Sequence, residues 1–325
     1  MASEPAPPKS DAFWRTLLTL ALGFALPVLA CYGLILVSTL ALNVLATSGG
    51  AADDLGAGDA VALIRVEGVI VSSAGVFDTG VAAADRIAAQ LERAAENEDV
   101  KAVVLAVNSP GGGVNASDVI HHAIRGLDKP VVVIMGDVAA SGGYYISAPA
   151  DWIIANPNTL TGSIGVISQF IDVDELLQEY GVDVVVVTSG PRKDFGSPFR
   201  EMTEEERAYW QGITDEIYAS FVEIVAAGRG LDEGAVRELS DGRVYTGRQA
   251  LANGLIDALG YEEDAVAKAA ELGGIVGEPR VIEMQPEISF GDYLAGFSAR
   301  GRLPNLTEVL NWIGHPTVEA RWTGN

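Results

Sequence analysis

From residue 60 onward the chain repeats one alternation. Short apolar runs rich in β-branched residues are followed by polar stretches whose apolar positions recur every three or four residues. Val61–Val71, Val103–Val107 and Val131–Met135 read as strands. Between them, Ala82–Ala95, with Ile87 and Leu91 on one face, and Asp118–Leu127 read as helices. Trp152–Ala155, Ser163–Ile167 and Val184–Thr188 are further short strand candidates. Continuous apolar strands alternating with helices predict an α/β fold whose largely parallel sheet is buried on both faces.

The pattern then changes period. Thr203 and Glu206 form a Thr-x-x-Glu capping box ahead of a long helix, along which Trp210, Ile213, Ile217, Phe221 and Ile224 make one apolar stripe. A second box, Thr246-x-x-Gln249, opens another helix through Leu251, and Glu262–Glu271 is polar and helical. Beyond Gln285 the pattern fades, leaving a Trp-containing tail over residues 286–325 to which no role is assigned.

At the other end, Leu17 to Ala46 carries no charged residue. This run exceeds the ~20 residues that cross a bilayer and the ~7–15 of a signal-peptide core. A single transmembrane helix over residues 17–46 is expected. Lys9 and Arg15 precede it, while Asp53 and Asp54 follow, so the positive-inside rule puts residues 1–16 in the cytoplasm and the rest outside. A cleaved signal peptide ending near Ala46 is the alternative, and it leaves the same part of the chain outside. The single cysteine, Cys31, lies within the apolar run and forms no intrachain disulfide; lipidation there is disfavoured because apolar sequence continues past it. Residues 47–59, rich in Gly and Ala, read as a linker to a domain over residues 60–285.

Charge narrows the function. A formal net charge of −23 argues against a nucleic-acid partner, which needs a basic surface. The 21 basic residues include only five lysines (Lys9, Lys101, Lys129, Lys193 and Lys268), a balance shared by proteins of saline environments and by ordinary acidic ones.

Two glycine-rich turns carry the chemistry, each directly after an apolar strand. Asn108-Ser-Pro-Gly-Gly-Gly113 follows Val107, and Ala139-Ala-Ser-Gly-Gly-Tyr-Tyr145 follows the strand ending at Met135. Ligands bind at the carboxyl ends of strands in open α/β sheets, and glycines there let backbone N–H groups approach closely. A serine at such a turn suits an acyl-transfer nucleophile, with the Gly142 N–H facing the developing oxyanion and a second donor from the 111–113 strip. A small residue packed in a tight turn is the plain alternative for Ser141. Neither turn has the spacing of a Walker or dinucleotide loop, nor that of an α/β-hydrolase elbow.

The three histidines supply a triad poorly: His121 and His122 sit on the helix after the first turn, and His315 in the tail. Lysine is the other base for this chemistry where burial frees it of its proton. Lys9 lies across the membrane, Lys101 and Lys129 enter their strands at the opposite edge, and Lys268 is in a polar helix. Lys193 remains, after Val184–Thr188, at the same edge as both glycine turns; an ordinary exposed loop lysine is its alternative.

These residues resemble the signal peptide peptidase A family of bacteria and archaea. The likeness runs through Asn108–Val114, Ala139–Ser147, Leu160–Val166, Ser189–Gly190 with Lys193–Asp194, Ser197–Pro198, Arg200–Thr203, and Asp241–Tyr245 with Gly247. It spans about Val61 to Tyr261 in the family's order. The resemblance implies a Clp/crotonase-like fold, Ser141 as nucleophile, Lys193 as general base, and oxyanion donors on the backbones of Gly112 and Gly142. It implies no metal or cofactor, and peptide substrates such as released signal peptides, with small or apolar side chains beside the cut. It also implies membrane-tethered homo-oligomers whose active sites are shared between neighbours. Three other readings stay open: a membrane Clp-type peptidase cutting a stomatin-like partner, a crotonase-type acyl-CoA enzyme, and a catalytically silent scaffold.

Overall fold

The computed structural model describes residues 23, 29–39, 58–75, 78, 80–286 and 317–322. The chain divides into two compact units, residues 1–56 and 57–325. In the first, residues 29–39 are helical and exposed, with the Ser38 and Thr39 hydroxyls donating to Leu34 and Ile35 carbonyls one turn back. Most of the expected 17–46 membrane span lies outside the described residues. Among the described residues no helix is long and apolar enough to cross a membrane.

The second unit is an α/β fold. Its main sheet runs in the order β10 (Val244–Thr246), β8 (Leu160–Gly162), β6 (Val131–Ala140), β4 (Val100–Ser109), β1 (Ala60–Glu67), β12 (Arg280–Glu283). β7 (Trp152–Ala155) pairs with the first half of β6 and with β11 (Ala258–Leu259). All pairings are parallel except β8 with β10. The alternation within β1 shows why its sequence is apolar throughout: Ala60, Ala62, Ile64 and Val66 enter one core, Val61 and Leu63 the other. The larger core is closed by α1 (Ala84–Glu96), α2 (Val114–Arg125), α3 (Gly142–Ser147) and α5 (Glu204–Arg229); the smaller by α8 (Glu262–Leu272). The remaining helices are α4 (Asp174–Glu179), α6 (Glu233–Leu239) and α7 (Gly247–Ala252).

A second sheet forms beside the first, in the order β3 (Val81–Ala83), β2 (Val69–Val71), β5 (Gly111–Gly113), β13 (Thr317–Arg321), β9 (Ile167–Gln169). Three sequence expectations change here. The strand expected over Val61–Val71 breaks at Gly68, whose φ of +86° and lack of a Cβ let its backbone press on Gly80. The helix expected to start at Asp118 starts at Val114, because the glycine strip before it is itself a strand. Ser163–Ile167 is not one strand; β8 and β9 flank Ser163, which takes a positive φ of 49°.

Val184–Thr188, expected as a short strand, is an irregular exposed segment. Val185 and Val187 are 85% and 91% exposed. The β-branched run supplies strand propensity, but it pairs with neither sheet, and propensity alone does not hold a strand.

Both capping boxes form, at Thr203/Glu206 and Thr246/Gln249. On α5, Phe221 is buried and its ring lies 5.0 Å from that of Tyr145 on α3, so the long helix packs directly on the helix that follows Ser141. Phe221→Ala is expected to destabilise the fold by about 3–5 kcal/mol through the cavity it leaves. Chemical denaturation followed by tryptophan fluorescence measures this, and a change under about 1 kcal/mol would show that α5 does not anchor α3.

Candidate active site

Ser141 sits between the end of β6 and the first turn of α3, at φ 53° and ψ −115°. A non-glycine residue holds such a backbone only where its surroundings impose it. They do so here: the Ser141 N–H donates to Gly162 O at 2.7 Å and the Tyr145 N–H to Ser141 O at 2.8 Å. α3 is fixed from both sides, by the Tyr144 hydroxyl on Leu255 O (2.8 Å) and the Tyr145 hydroxyl on Asp118 (2.9 Å). Burial pushes both phenols above their ordinary range, so they stay protonated donors.

The two glycine turns meet at Ser141. A Cβ on Gly111, at φ 97°, would lie 2.6 Å from Gly142 N; one on Gly112 would lie 2.0 Å from Ile70 O; one on Gly142 would lie 2.6 Å from Ser117 Oγ. Backbone meets backbone at spacings only glycine allows. The 111–113 strip pairs on one side with β2 through Ile70↔Gly112 and on the other with β13 through Ala320↔Gly112.

β13 was not foreseen. It lies antiparallel to both β5 and β9, in the position an extended peptide takes when it adds to a sheet. The Trp322 N–H donates to Pro110 O at 2.8 Å, so by the alternation of an antiparallel ladder Gly112 and Ala320, two residues along, form the next hydrogen-bonded pair. The Ala320 carbonyl oxygen therefore lies in the crook between the glycine turns: a Cβ on Gly111 would meet it at 2.1 Å and one on Gly142 at 3.0 Å. The Ala320 side chain is buried, whereas Glu319, Arg321 and Trp322 line a cavity of about 400 Å³ that also contains Ser141. Its other walls include Ser163 and Ile167, Gln211, Thr214, Asp215 and Tyr218 of α5, and Asp241.

Lys193 is elsewhere. It is exposed on the turn-rich arm Ser189–Gly196 and lines a different cavity, with Pro191, Arg192, Phe195 and Glu205. Arg192 is ion-paired to Glu205 at 2.9 Å. Glu205 is in the first turn of α5, while Tyr218, which lines the Ser141 cavity, is about 20 Å further along that helix. The structure thus brings Ser141, Gly112 and Gly142 together in one chain and leaves Lys193 apart from them.

His121 is half-buried against the Tyr145 ring, at 5.4 Å between centroids, and lines no wall of the Ser141 cavity; burial lowers its affinity for a proton. His122 is exposed, and His315 lies outside the described residues. Among the described residues no cluster of three or more His, Cys, Asp or Glu side chains is placed to hold a metal ion.

Known proteins share this arrangement of sequence. The model of Peptidase family S49 matches residues 123–275, and that of Clp protease matches residues 61–160, which includes both glycine turns. A putative protease of Synechocystis sp. is 42% identical over 191 residues, covering 58% of this chain and 68% of that protein. The chain belongs to peptidase family S49. Protease 4 of Salmonella typhi is 39% identical over 274 residues, 81% of this chain and 43% of that protein. A putative signal peptide peptidase SppA of Enterococcus faecium is 46% identical over 180 residues, 54% of this chain and 52% of that protein. The chain spans about half the length of these last two relatives.

Gly142→Ala places a methyl group against Ser117 and against whatever carbonyl occupies the crook. Loss of peptide hydrolysis by about 100-fold or more is expected, with the protein still folded by circular dichroism. Turnover within about threefold of wild type would mean that the Gly142 N–H does not face the reacting oxygen.

Proposed function

We propose that this S49 member is a membrane-anchored serine endopeptidase that takes its substrate as an added β-strand and cuts it by a Ser–Lys acyl-enzyme route. The observation that carries the reading is β13, an extended segment held against the glycine strip with a carbonyl oxygen in the crook beside Ser141. A peptide in that position would present its scissile carbonyl to Ser141 Oγ, with the Gly112 and Gly142 N–H groups as oxyanion donors. The small buried Ala320 side chain fits a subsite for small residues, in keeping with released signal peptides as substrates. The relative named SppA supports that substrate class.

In this mechanism a deprotonated Lys193 takes the Ser141 proton as Oγ attacks, and returns it to the leaving amine. Water then hydrolyses the acyl-enzyme, regenerating the hydroxyl. Because Lys193 lines a different cavity from Ser141, the base comes from a neighbouring copy of the chain. The exposed valines of residues 182–187, strand-forming but unpaired, are the surface such a neighbour would cover. Assembly as a homo-oligomer is therefore part of the proposal. So is the anchor over residues 17–46, with residues 1–16 in the cytoplasm and the catalytic unit outside. No cofactor takes part.

The test compares Ser141→Ala and Lys193→Ala in the full-length protein, in detergent or bilayer discs, on a fluorogenic signal-peptide-like substrate. Each variant is expected to lose turnover by about 1,000-fold or more while keeping its fold and assembly, and an equimolar mixture of the two is expected to regain part of it. Wild-type rate should rise with pH along a basic limb, since the lysine works deprotonated. Full activity in Lys193→Ala would refute the dyad. Since β13 stands where substrate would lie, a chain ending before Thr317 is expected to bind peptide with a lower KM; an unchanged KM would mean that β13 and substrate do not compete.

A further inference from the structure

The arm that carries Lys193 is gripped at its base by a carboxylate sealed inside the protein. Glu206, in the first turn of α5, has a side chain only 1% exposed. Both its oxygens are fully engaged: Oε1 accepts from the Gly196 N–H (3.2 Å) and Arg200 Nη2 (2.7 Å), and Oε2 from the Thr203 N–H and hydroxyl (both 2.8 Å) and Arg200 Nη1 (2.8 Å). Arg200 forks onto Glu206 with Nη1 and Nη2 while its Nε and Nη2 reach back to the Asp194 carboxylate (2.9 Å) and carbonyl (3.1 Å). Asp194 is the residue after Lys193. The chain between Asp194 and Arg200 turns on Gly196, at φ 78°, where a Cβ would lie 2.7 Å from the Phe170 ring. Phe195 and Phe170 in turn pack on Tyr209 and Trp210 of the next turn of α5.

We infer that Arg200 and Glu206 are positioning residues for the general base, a clamp anchored on a buried carboxylate that fixes the backbone at Asp194 so that Lys193 is presented at one place and angle. The inference rests on the proposed role of Lys193 and deepens it. The geometry is more than a fold needs at this point. A helix N-terminus requires one or two capping acceptors, and the Thr203 box already supplies them. Glu206 goes further, adding a bidentate arginine that also donates twice to the residue beside Lys193, through Nε and Nη2. The clamp also joins the arm to α5, the same helix whose later turns line the Ser141 cavity through Gln211, Thr214, Asp215 and Tyr218. One rigid rod thereby holds both a nucleophile cavity and an outward-facing base, so the position of each is set relative to the other in every copy of the chain. The Arg200 fork holds the Glu206 carboxyl down at about 2, so the clamp stays ionised across the pH range in which the lysine works.

The experiment uses the full-length enzyme with Glu206→Gln and Arg200→Lys, each alone and combined with Lys193→Ala. The first keeps the shape and loses the charge; the second keeps the charge and loses the fork. Each single variant is expected to lower kcat at least tenfold with KM within about threefold of wild type. Its pH profile should climb in proportion to hydroxide concentration and depart from the wild-type limb, as expected when a displaced lysine no longer takes the proton. In the Lys193→Ala background neither change should cost anything further, because a residue acting only through Lys193 has nothing left to act on. Equal losses in both backgrounds, or a rise in KM at constant kcat, would overturn the inference in favour of a purely structural clamp. Should Glu206→Gln fail to fold, Arg200→Lys decides the matter by the same comparison. An active Lys193→Ala parent would instead remove the base assignment itself, an outcome visible before any clamp variant is measured.

Discussion

Three strands (β2, β6 and β13) and two helices (α2 and α3) crowd the glycine turns at spacings that leave no room for a Cβ. Gly111 presses on Gly142 N and on Ala320 O, Gly112 on Ile70 O, and Gly142 on Ser117. Everything else at the site follows from this close approach. With backbone packed on backbone, the N–H groups of two separate turns can point into one small volume. The end of β6 must then turn sharply into α3, and that turn holds Ser141 at a positive φ uncommon for any residue but glycine. The strain is held by the hydrogen bond to Gly162 and by the anchored hydroxyls of Tyr144 and Tyr145. A side chain at Gly111 or Gly112 would separate the strands, relax Ser141 and blunt the oxyanion donors together.

The part of this that could be read in advance is the part that follows from local chemistry. β-Branched runs that are apolar at every position become two-side-buried parallel strands, because no polar residue marks a solvent face. Thr203 and Thr246 with Glu206 and Gln249 mark helix starts through hydrogen bonds spanning three residues. Ser141, Gly142 and the 111–113 strip could be proposed as one site because each turn stands just after a strand, while Gly112 itself is singled out only by the family resemblance. What could not be read depends on contacts distant along the chain. β13 contributes Thr317–Arg321 to a sheet whose other members lie between residues 69 and 169, and no periodicity in a five-residue segment announces such a partner. Val184–Thr188 shows the reverse failure. It has the composition of a strand, yet no edge in either sheet receives it, so its valines remain in solvent.

The clamp was half legible. The Thr203 box was evident, but Glu206 serves it with only part of its bonding capacity, and the rest goes to Arg200 and Gly196. A sequence shows that a glutamate stands three residues after a threonine. It does not show that Arg200 will fork onto that glutamate and carry the connection back to Asp194.

The separation of Lys193 from Ser141 then acquires a physical sense. A lysine on a free loop would sample many positions, and each lost position costs entropy when it docks, which for a long side chain and its backbone amounts to several kcal/mol. A base supplied across an interface has that cost added to the cost of association. Fixing the arm within each chain would remove part of that cost beforehand, since Arg200, Glu206 and Gly196 hold the backbone within the single chain. In the proposed assembly only the lysine side chain would remain to be ordered on docking. The nucleophile is likewise held at its strained turn before any substrate arrives. Both halves of the proposed dyad would be ready in every copy, and contact between copies would be the step that turns two prepared halves into a site able to cut, confining hydrolysis to the assembled enzyme.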